Sequence, residues 1–303
     1  MIHARYPVNV EGSSTPVPGR REGEILTDDG VRLRYQEAGS GNPGHPLVLV
    51  PGFGQTAAGF AAQIDGLGRH RRVIALDQRG HGRSERPAHG YRASRLAMDL
   101  HQVLEGLDLR DATLLGHSLG CSVLWCHWDL FGSDRTGRLV LVDQSPVVSS
   151  EFAGAGQEAP PAAVFTRDMP LGFAAGLRGG PDAVDAVVRA VVAMLHSPSL
   201  GEDEVRWLVE QTRLLPPRHA ADLLLDHYAN DWRDVLPRIT VPALVIGGEL
   251  SFLPPGTTEW VASLIPGARA RVFSADEAGS HLMFRENPAL FNRVVADFLD
   301  SVE

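Results

Sequence analysis

The sequence predicts an α/β fold, a mostly parallel eight-stranded sheet flanked by helices with a helical segment inserted between two of its strands. Three observations carry this. Short apolar runs at 46–50, 73–76, 112–115, 139–142 and 243–246 are separated by stretches of helical character. A continuous apolar run is what a strand covered on both faces requires. The run at 112–115 passes directly into Gly116-His117-Ser118-Leu119-Gly120 and then a helix-forming stretch to about residue 130. For roughly ninety residues, 146–237, no apolar strand occurs and helical periodicity takes over.

Composition bounds the function. The chain has 303 residues, 44% of them hydrophobic, enough for one large core. Its net charge of −9, with scattered arginines, argues against nucleic acid or an anionic membrane as partner. No apolar run approaches the roughly 20 residues of a membrane span. Residues 1–21 are polar, with Gly, Ser and Pro, and lack the apolar centre of a secretory signal, so a flexible leader is expected there. Cys121 and Cys126, the only two cysteines, fall on different faces of one expected helix. They read as small core residues, and a reducing, cytoplasmic setting fits them. Twelve histidines show no zinc-type spacing with them.

The elements follow in order. Segments 24–27 and 31–35 flank Asp28-Asp29-Gly30, and the Asp-Gly pair supplies a hairpin turn. The buried strand 46–50 runs into the glycine-rich bend Pro51-Gly52-Phe53-Gly54. The strand 73–76 ends at the turn motif 77–84, and a helix over 92–107 carries Leu96, Leu100, Val103 and Leu104 on one side. After the strand 139–142, Asp143-Gln144-Ser145-Pro146 opens the insertion. Gly154, Gly156, Pro160 and Pro161 break its start, and Val184, Val187, Val188, Val191, Val192 and Leu195 then recur at helical spacing. Placed between two strands, 146–237 reads as a cap over the sheet's C-terminal edge rather than a second layer on its face. The sheet resumes at 243–246 and 270–273, with residues 22–145 and 238–303 forming the core and a closing helix over 289–299.

The Gly-x-Ser-x-Gly stretch has a chemical reason for its spacing. A serine on a sharp strand-to-helix turn sits in strained backbone, and glycines two residues either side remove clashes with strand and helix. The hydroxyl of Ser118 then stands clear of the sheet at a helix N-terminus, where unpaired N–H groups favour negative charge.

Taken together, the bend at 51–54, the turn at 77–84, the elbow at 116–120, and Gly279-x-His281 followed by Glu286-x-Pro288 resemble the α/β-hydrolase superfamily. The likeness is to its capped serine esterase, lactonase and cofactor-free haloperoxidase-like branch, over roughly 22–298 apart from the cap. The resemblance implies Ser118 as nucleophile and His281 as base, with the N–H groups of Leu119 and Phe53 forming the oxyanion hole. The acid departs from the pattern. Where the family carries aspartate in Gly-x-x-Asp, this chain has Gly248-Glu249-Leu250-Ser251, and serine supplies no carboxylate. Asp143, at the tip of the preceding strand, is the expected replacement, and Glu249 the alternative. Read without the resemblance, Asp143 caps a turn before Ser145-Pro146.

The resemblance implies hydrolysis of a carboxylic ester or lactone through an acyl-enzyme, with no metal or cofactor. Perhydrolysis or haloperoxidase-type oxidation, carbon–carbon bond hydrolysis, and a non-catalytic ligand-binding relative are the competing readings. Dehalogenation and epoxide opening in this superfamily use an aspartate nucleophile and are disfavoured. Aromatic residues of the insertion, Phe152, Phe165, Phe173, Trp207 and Trp232, with Met194 and with Phe53 from the core, are the candidates for lining a pocket for a medium-sized hydrophobic substrate. The chain is expected to be a monomer or a homodimer.

Overall fold

The computed structural model describes residues 19–152 and 162–302. Residues 1–18 of the expected leader, and Gly154, Gly156, Pro160 and Pro161, lie outside them. Arg21, the last leader residue, instead opens the first strand.

Eight strands form one sheet: β1 (Arg21–Leu26), β2 (Arg32–Ala38), β3 (Leu47–Val50), β4 (Val73–Asp77), β5 (Ala112–His117), β6 (Thr136–Val142), β7 (Ala243–Gly248) and β8 (Arg269–Phe273). Their spatial order is β1-β2-β4-β3-β5-β6-β7-β8. The β1–β2 and β2–β4 pairings are antiparallel and all the others parallel. The hairpin turn is held by Gly30, whose φ of 79° a side chain would resist.

Alternation along the central strands divides the core into two layers. Val48, Val50, Leu114, Leu139, Leu141 and Val245 face one side, under α2 (Ala93–Gly106), α3 (Leu119–Phe131) and α8 (Thr257–Leu264). Leu47, Leu49, Leu115, Val140, Val142 and Ile246 face the other, under α1 (Ala61–Leu67), α9 (Met283–Glu286) and α10 (Pro288–Asp300). The short helices α1, α8 and α9 carry too few turns for their apolar spacing to stand out in the sequence.

Between β6 and β7 the chain forms α4 (Asp168–Leu177), α5 (Pro181–Leu195), α6 (Glu202–Thr212) and α7 (Pro217–Tyr228). The valine stripe of α5 is its buried face. At the base of the insertion, Val147 bridges Asp231 and the Trp232 N–H donates to the Pro146 carbonyl at 2.9 Å, tying entry to exit. Among the described residues no helix is long and apolar enough to cross a membrane.

A buried ion-pair network fixes the edge of the sheet that carries the hairpin. Arg79, after β4, donates to both carboxylate oxygens of Asp99 on α2 at 2.6 Å each and reaches Asp29 in the hairpin turn at 3.0 Å. The fork-to-fork geometry offsets the desolvation of two groups that are each 1% exposed.

Candidate active site

Ser118 lies between β5 and α3 with φ 53° and ψ −126°, a conformation strained for any side chain. Its flanking glycines are required by contact. A Cβ on Gly120 would stand 2.2 Å from the Val50 carbonyl oxygen of β3, and one on Gly116 would meet the first turn of α3 at 2.7 Å. The neighbouring Cys121 thiol donates to the Gly116 carbonyl at 3.0 Å and is pushed up by burial, so it remains a protonated packing group.

Asp143 follows β6, and its N–H donates to the Ile246 carbonyl of β7 at 2.7 Å. One carboxylate oxygen, Oδ2, accepts from His281 Nδ1 at 2.6 Å and from the Ser251 hydroxyl at 2.6 Å. His281 is fully buried, and its other ring nitrogen, Nε2, has no hydrogen-bond partner among the described residues. Glu249, the alternative acid, points elsewhere. Its carboxylate accepts from the Ala275 N–H at 2.9 Å and closes the turn after β8.

The loop carrying His281 is bound on several sides. Gly279 gives its carbonyl to the Leu250 N–H at 2.8 Å, and Gly248 packs so close to Gly279 that a Cβ would stand 2.0 Å from that oxygen. Glu286 accepts from the Ser280 hydroxyl at 2.5 Å and from the Ser197 N–H at 2.9 Å, joining this loop to the insertion.

His117, inside the elbow, connects the two halves of the site. Its ring centroid is 4.5 Å from that of His281, and its Nε2 donates to the His281 carbonyl at 2.8 Å. Burial holds its imidazole well below the ordinary histidine range, so the ring has a single N–H. That proton is taken by the carbonyl. Nδ1 lies 2.9 Å from the Gln55 side-chain amide, and the Oε1 of that amide accepts from the Gly52 N–H at 3.3 Å.

The bend at 51–54 is braced from the turn after β4. Gln78 Nε2 donates to the Pro51 carbonyl at 2.8 Å. His81 Nδ1 pairs with the Arg79 carbonyl at 3.0 Å, leaving Nε2 to accept from the Gly54 N–H at 3.2 Å. Burial pushes His81 down to about 4, which keeps the acceptor lone pair available at neutral pH. His81 lies within the turn at 77–84. Here it supports the loop that carries Phe53.

Ser118, Leu119 and Phe53 line one cavity together with side chains from the insertion. Phe165, Phe173 and Met194 line it. Phe152, Trp207 and Trp232 do not. Phe152 lies at the surface, 37% exposed. Trp207 lies under the Arg285 guanidinium at 3.8 Å and packs against the core layer under α1, α9 and α10. Trp232 packs against the core layer under α2 and α3. The positions missed include Gln55, Gln144, Val148, Met169, His227 and Phe252. Phe252 also covers His281, ring centroids 4.7 Å apart. Only Phe252 and Met169 carried a signal, as apolar residues in the loop after β7 and near the start of α4. Among the described residues no arginine, aspartate or glutamate lines the cavity. Among the described residues no group of three or more histidine, cysteine or acidic side chains is disposed to hold a metal ion.

The model of the alpha/beta hydrolase family matches residues 47–294, and the chain belongs to that family. A non-heme chloroperoxidase of Kitasatospora aureofaciens is 25% identical over 292 residues, covering 90% of this chain and 98% of that protein. Among solved structures, an esterase from Exiguobacterium antarcticum superposes with a TM-score of 0.81 at 24% identity, covering 91% of this chain and 98% of its own. The enol-lactonase from Burkholderia xenovorans LB400 does so with 0.76 at 23%, covering 92% and 100%. The structural likenesses carry the fold.

Proposed function

We propose that this protein is a serine hydrolase that cleaves a carboxylic ester or lactone of a medium-sized hydrophobic substrate through an acyl-enzyme on Ser118. The observation that carries the reading is the buried Asp143–His281 pair, 2.6 Å apart, with Nε2 of the imidazole unpartnered. A buried nitrogen without a partner is costly, and a hydroxyl proton is what such an atom is suited to take.

In this mechanism His281 Nε2 removes the proton of Ser118, and the oxygen attacks the substrate carbonyl. Asp143 holds Nδ1–H and stabilises the imidazolium. The N–H of Leu119, at the first position of α3, has no partner within the helix and, with that of Phe53, stabilises the oxyanion. The imidazolium protonates the leaving alcohol, and water activated by the same histidine releases the acid. The insertion acts as a cap, supplying apolar walls and keeping bulk water from the acyl-enzyme.

Perhydrolysis is the second reading, with peroxide in place of water at the acyl-enzyme, and one relative's name, non-heme chloroperoxidase, favours keeping it. The test is a panel of esters and lactones assayed with and without peroxide on wild type, Ser118→Ala, Asp143→Asn and Glu249→Gln. A fluorophosphonate labels Ser118 stoichiometrically if the reading holds. Folded wild-type protein that neither labels nor turns over any member of the panel would exclude it, and loss of activity in Glu249→Gln alone would move the acid to Glu249.

A further inference from the structure

Among the polar groups of the cavity that this mechanism leaves idle is Gln144. Gln144 directly follows Asp143, is 6% exposed, and lines the cavity with Ser118. The orientation of its amide is determined by its neighbours. Nε2 is 2.9 Å from the Ser145 carbonyl oxygen, which only the NH2 end can satisfy. The second N–H of Nε2 faces His227 Nε2 at 3.4 Å. His227, on α7, lines the same cavity, and burial pushes it down to about 4, so it is neutral and accepts at that nitrogen. Its remaining N–H, on Nδ1, faces the Ser122 hydroxyl at 3.4 Å. Every hydrogen of the Gln144 amide is thereby directed to a protein acceptor. Its oxygen, Oε1, meets no donor among the described residues and faces the cavity that Gln144 lines.

An acceptor in an apolar cavity with no protein donor selects a ligand that brings one. With no charged side chain among the described residues of the lining, that donor belongs to a neutral group. Building on the serine-hydrolase reading, we infer that Gln144 is a specificity residue and that the substrate is an uncharged ester carrying a hydroxyl group on an otherwise hydrocarbon body, the hydroxyl donating to Gln144 Oε1. His227 is the positioning residue that holds the amide in this orientation from the insertion.

The test uses ethyl hexanoate with a hydroxyl walked along the acyl chain, and hexyl acetate with one walked along the alcohol chain. Each hydroxy ester is paired with its O-methyl ether, which matches it in polarity but donates nothing. In wild type at least one hydroxy ester exceeds its ether by about tenfold or more in kcat/KM. Gln144→Met, similar in length and lacking the acceptor, brings that ratio close to one, and His227→Phe lowers it severalfold. The ratio is internal to each variant, so partial loss of folded protein does not affect it. Calorimetric titration of Ser118→Ala with the same pairs reads binding without turnover. There the hydroxy ester binds more tightly by a similar factor. Equal affinity, no preferred hydroxy ester in wild type, or a ratio unchanged in Gln144→Met would each overturn the Gln144 assignment. Wild type that binds the hydroxy ester selectively but hydrolyses none of the panel would instead retain Gln144 and reject the hydrolase reading.

Discussion

The Ser251 hydroxyl donates to Asp143 Oδ2 at 2.6 Å, on the same oxygen that receives His281 Nδ1–H. Ser251 occupies the loop after β7 from which the family's aspartate usually extends, and Asp143 extends from the tip of β6. The two strands are paired in register from Leu139–Ala243 to Val142–Ile246, so their tips converge on one imidazole. On the proposed mechanism, Asp143→Asn lowers kcat by about ten-thousandfold by removing the charge that stabilises the imidazolium and disturbing its tautomer. Ser251→Ala removes one charge-assisted hydrogen bond and costs about tenfold. The double variant Asp143→Asn, Ser251→Asp recovers part of the loss, because a carboxylate returns to the same imidazole from the adjacent strand. Steady-state kinetics on one ester measures all three, and no recovery in the double variant would show that the two positions are not interchangeable.

His81→Phe keeps the ring volume but removes both the acceptor for the Gly54 N–H and the donor to the Arg79 carbonyl. The loop bearing Phe53 then loses one of its braces. Because an oxyanion exists only beyond the ground state, the loss falls on kcat, by roughly 10- to 100-fold, with KM nearly unchanged. A purely structural role would lower Tm without separating the two constants.

Stability falls as the solution is acidified below the ordinary histidine range. Burial holds His81 and His227 at about 4, His127 at about 3, and His117 low as well. Each is neutral when folded but takes up a proton at about 6.5 once unfolded, so the unfolded state binds more protons. Their contribution is complete above about pH 6.5 and is lost progressively toward about pH 4. Asp77 and Asp99, whose carboxyls burial raises, act in the opposite sense at the acid end of this range. Calorimetry is expected to give a Tm several degrees lower at about pH 5 than at about pH 7.5, with net proton uptake on unfolding.

Arg79→Leu takes the bidentate partner from the Asp99 carboxylate, 1% exposed, and leaves it the Arg95 Nε–H at 3.0 Å and no second guanidinium. The expected cost is about 3–5 kcal/mol by urea denaturation. Arg79→Leu with Asp99→Leu loses less than Arg79→Leu alone, because no buried charge remains unpaired. A double variant no more stable than the single would place the cost in the Asp29 and Arg95 contacts instead.

Whatever is local in the chain could be read from it. The central strands β3 to β7 announce themselves because they are buried on both faces, and the elbow because Gly116 and Gly120 are forced by contacts within a few residues of Ser118 and by the adjacent strand. The valine stripe of α5 is periodic for the same reason. The short helices α1 and α8 escaped because one or two turns do not establish a period. The aromatic lining was only half legible. An aromatic residue in the insertion is equally suited to the cavity wall, to the core layer beside the sheet, or to a place beneath an arginine, and Trp232 took the second and Trp207 the third.

What the sequence alone determined is the sheet, the insertion and the identity of the serine and histidine to consider. Only the tertiary structure decided which carboxylate meets the histidine, that Ser251 shares that oxygen, that His81 braces the bend at 51–54, and that Gln144 and His227 stand together in the cavity. Such pairings join side chains as much as 138 positions apart, as His281 and Asp143 are. They depend on strand order and helix rotation, which no short stretch of sequence encodes.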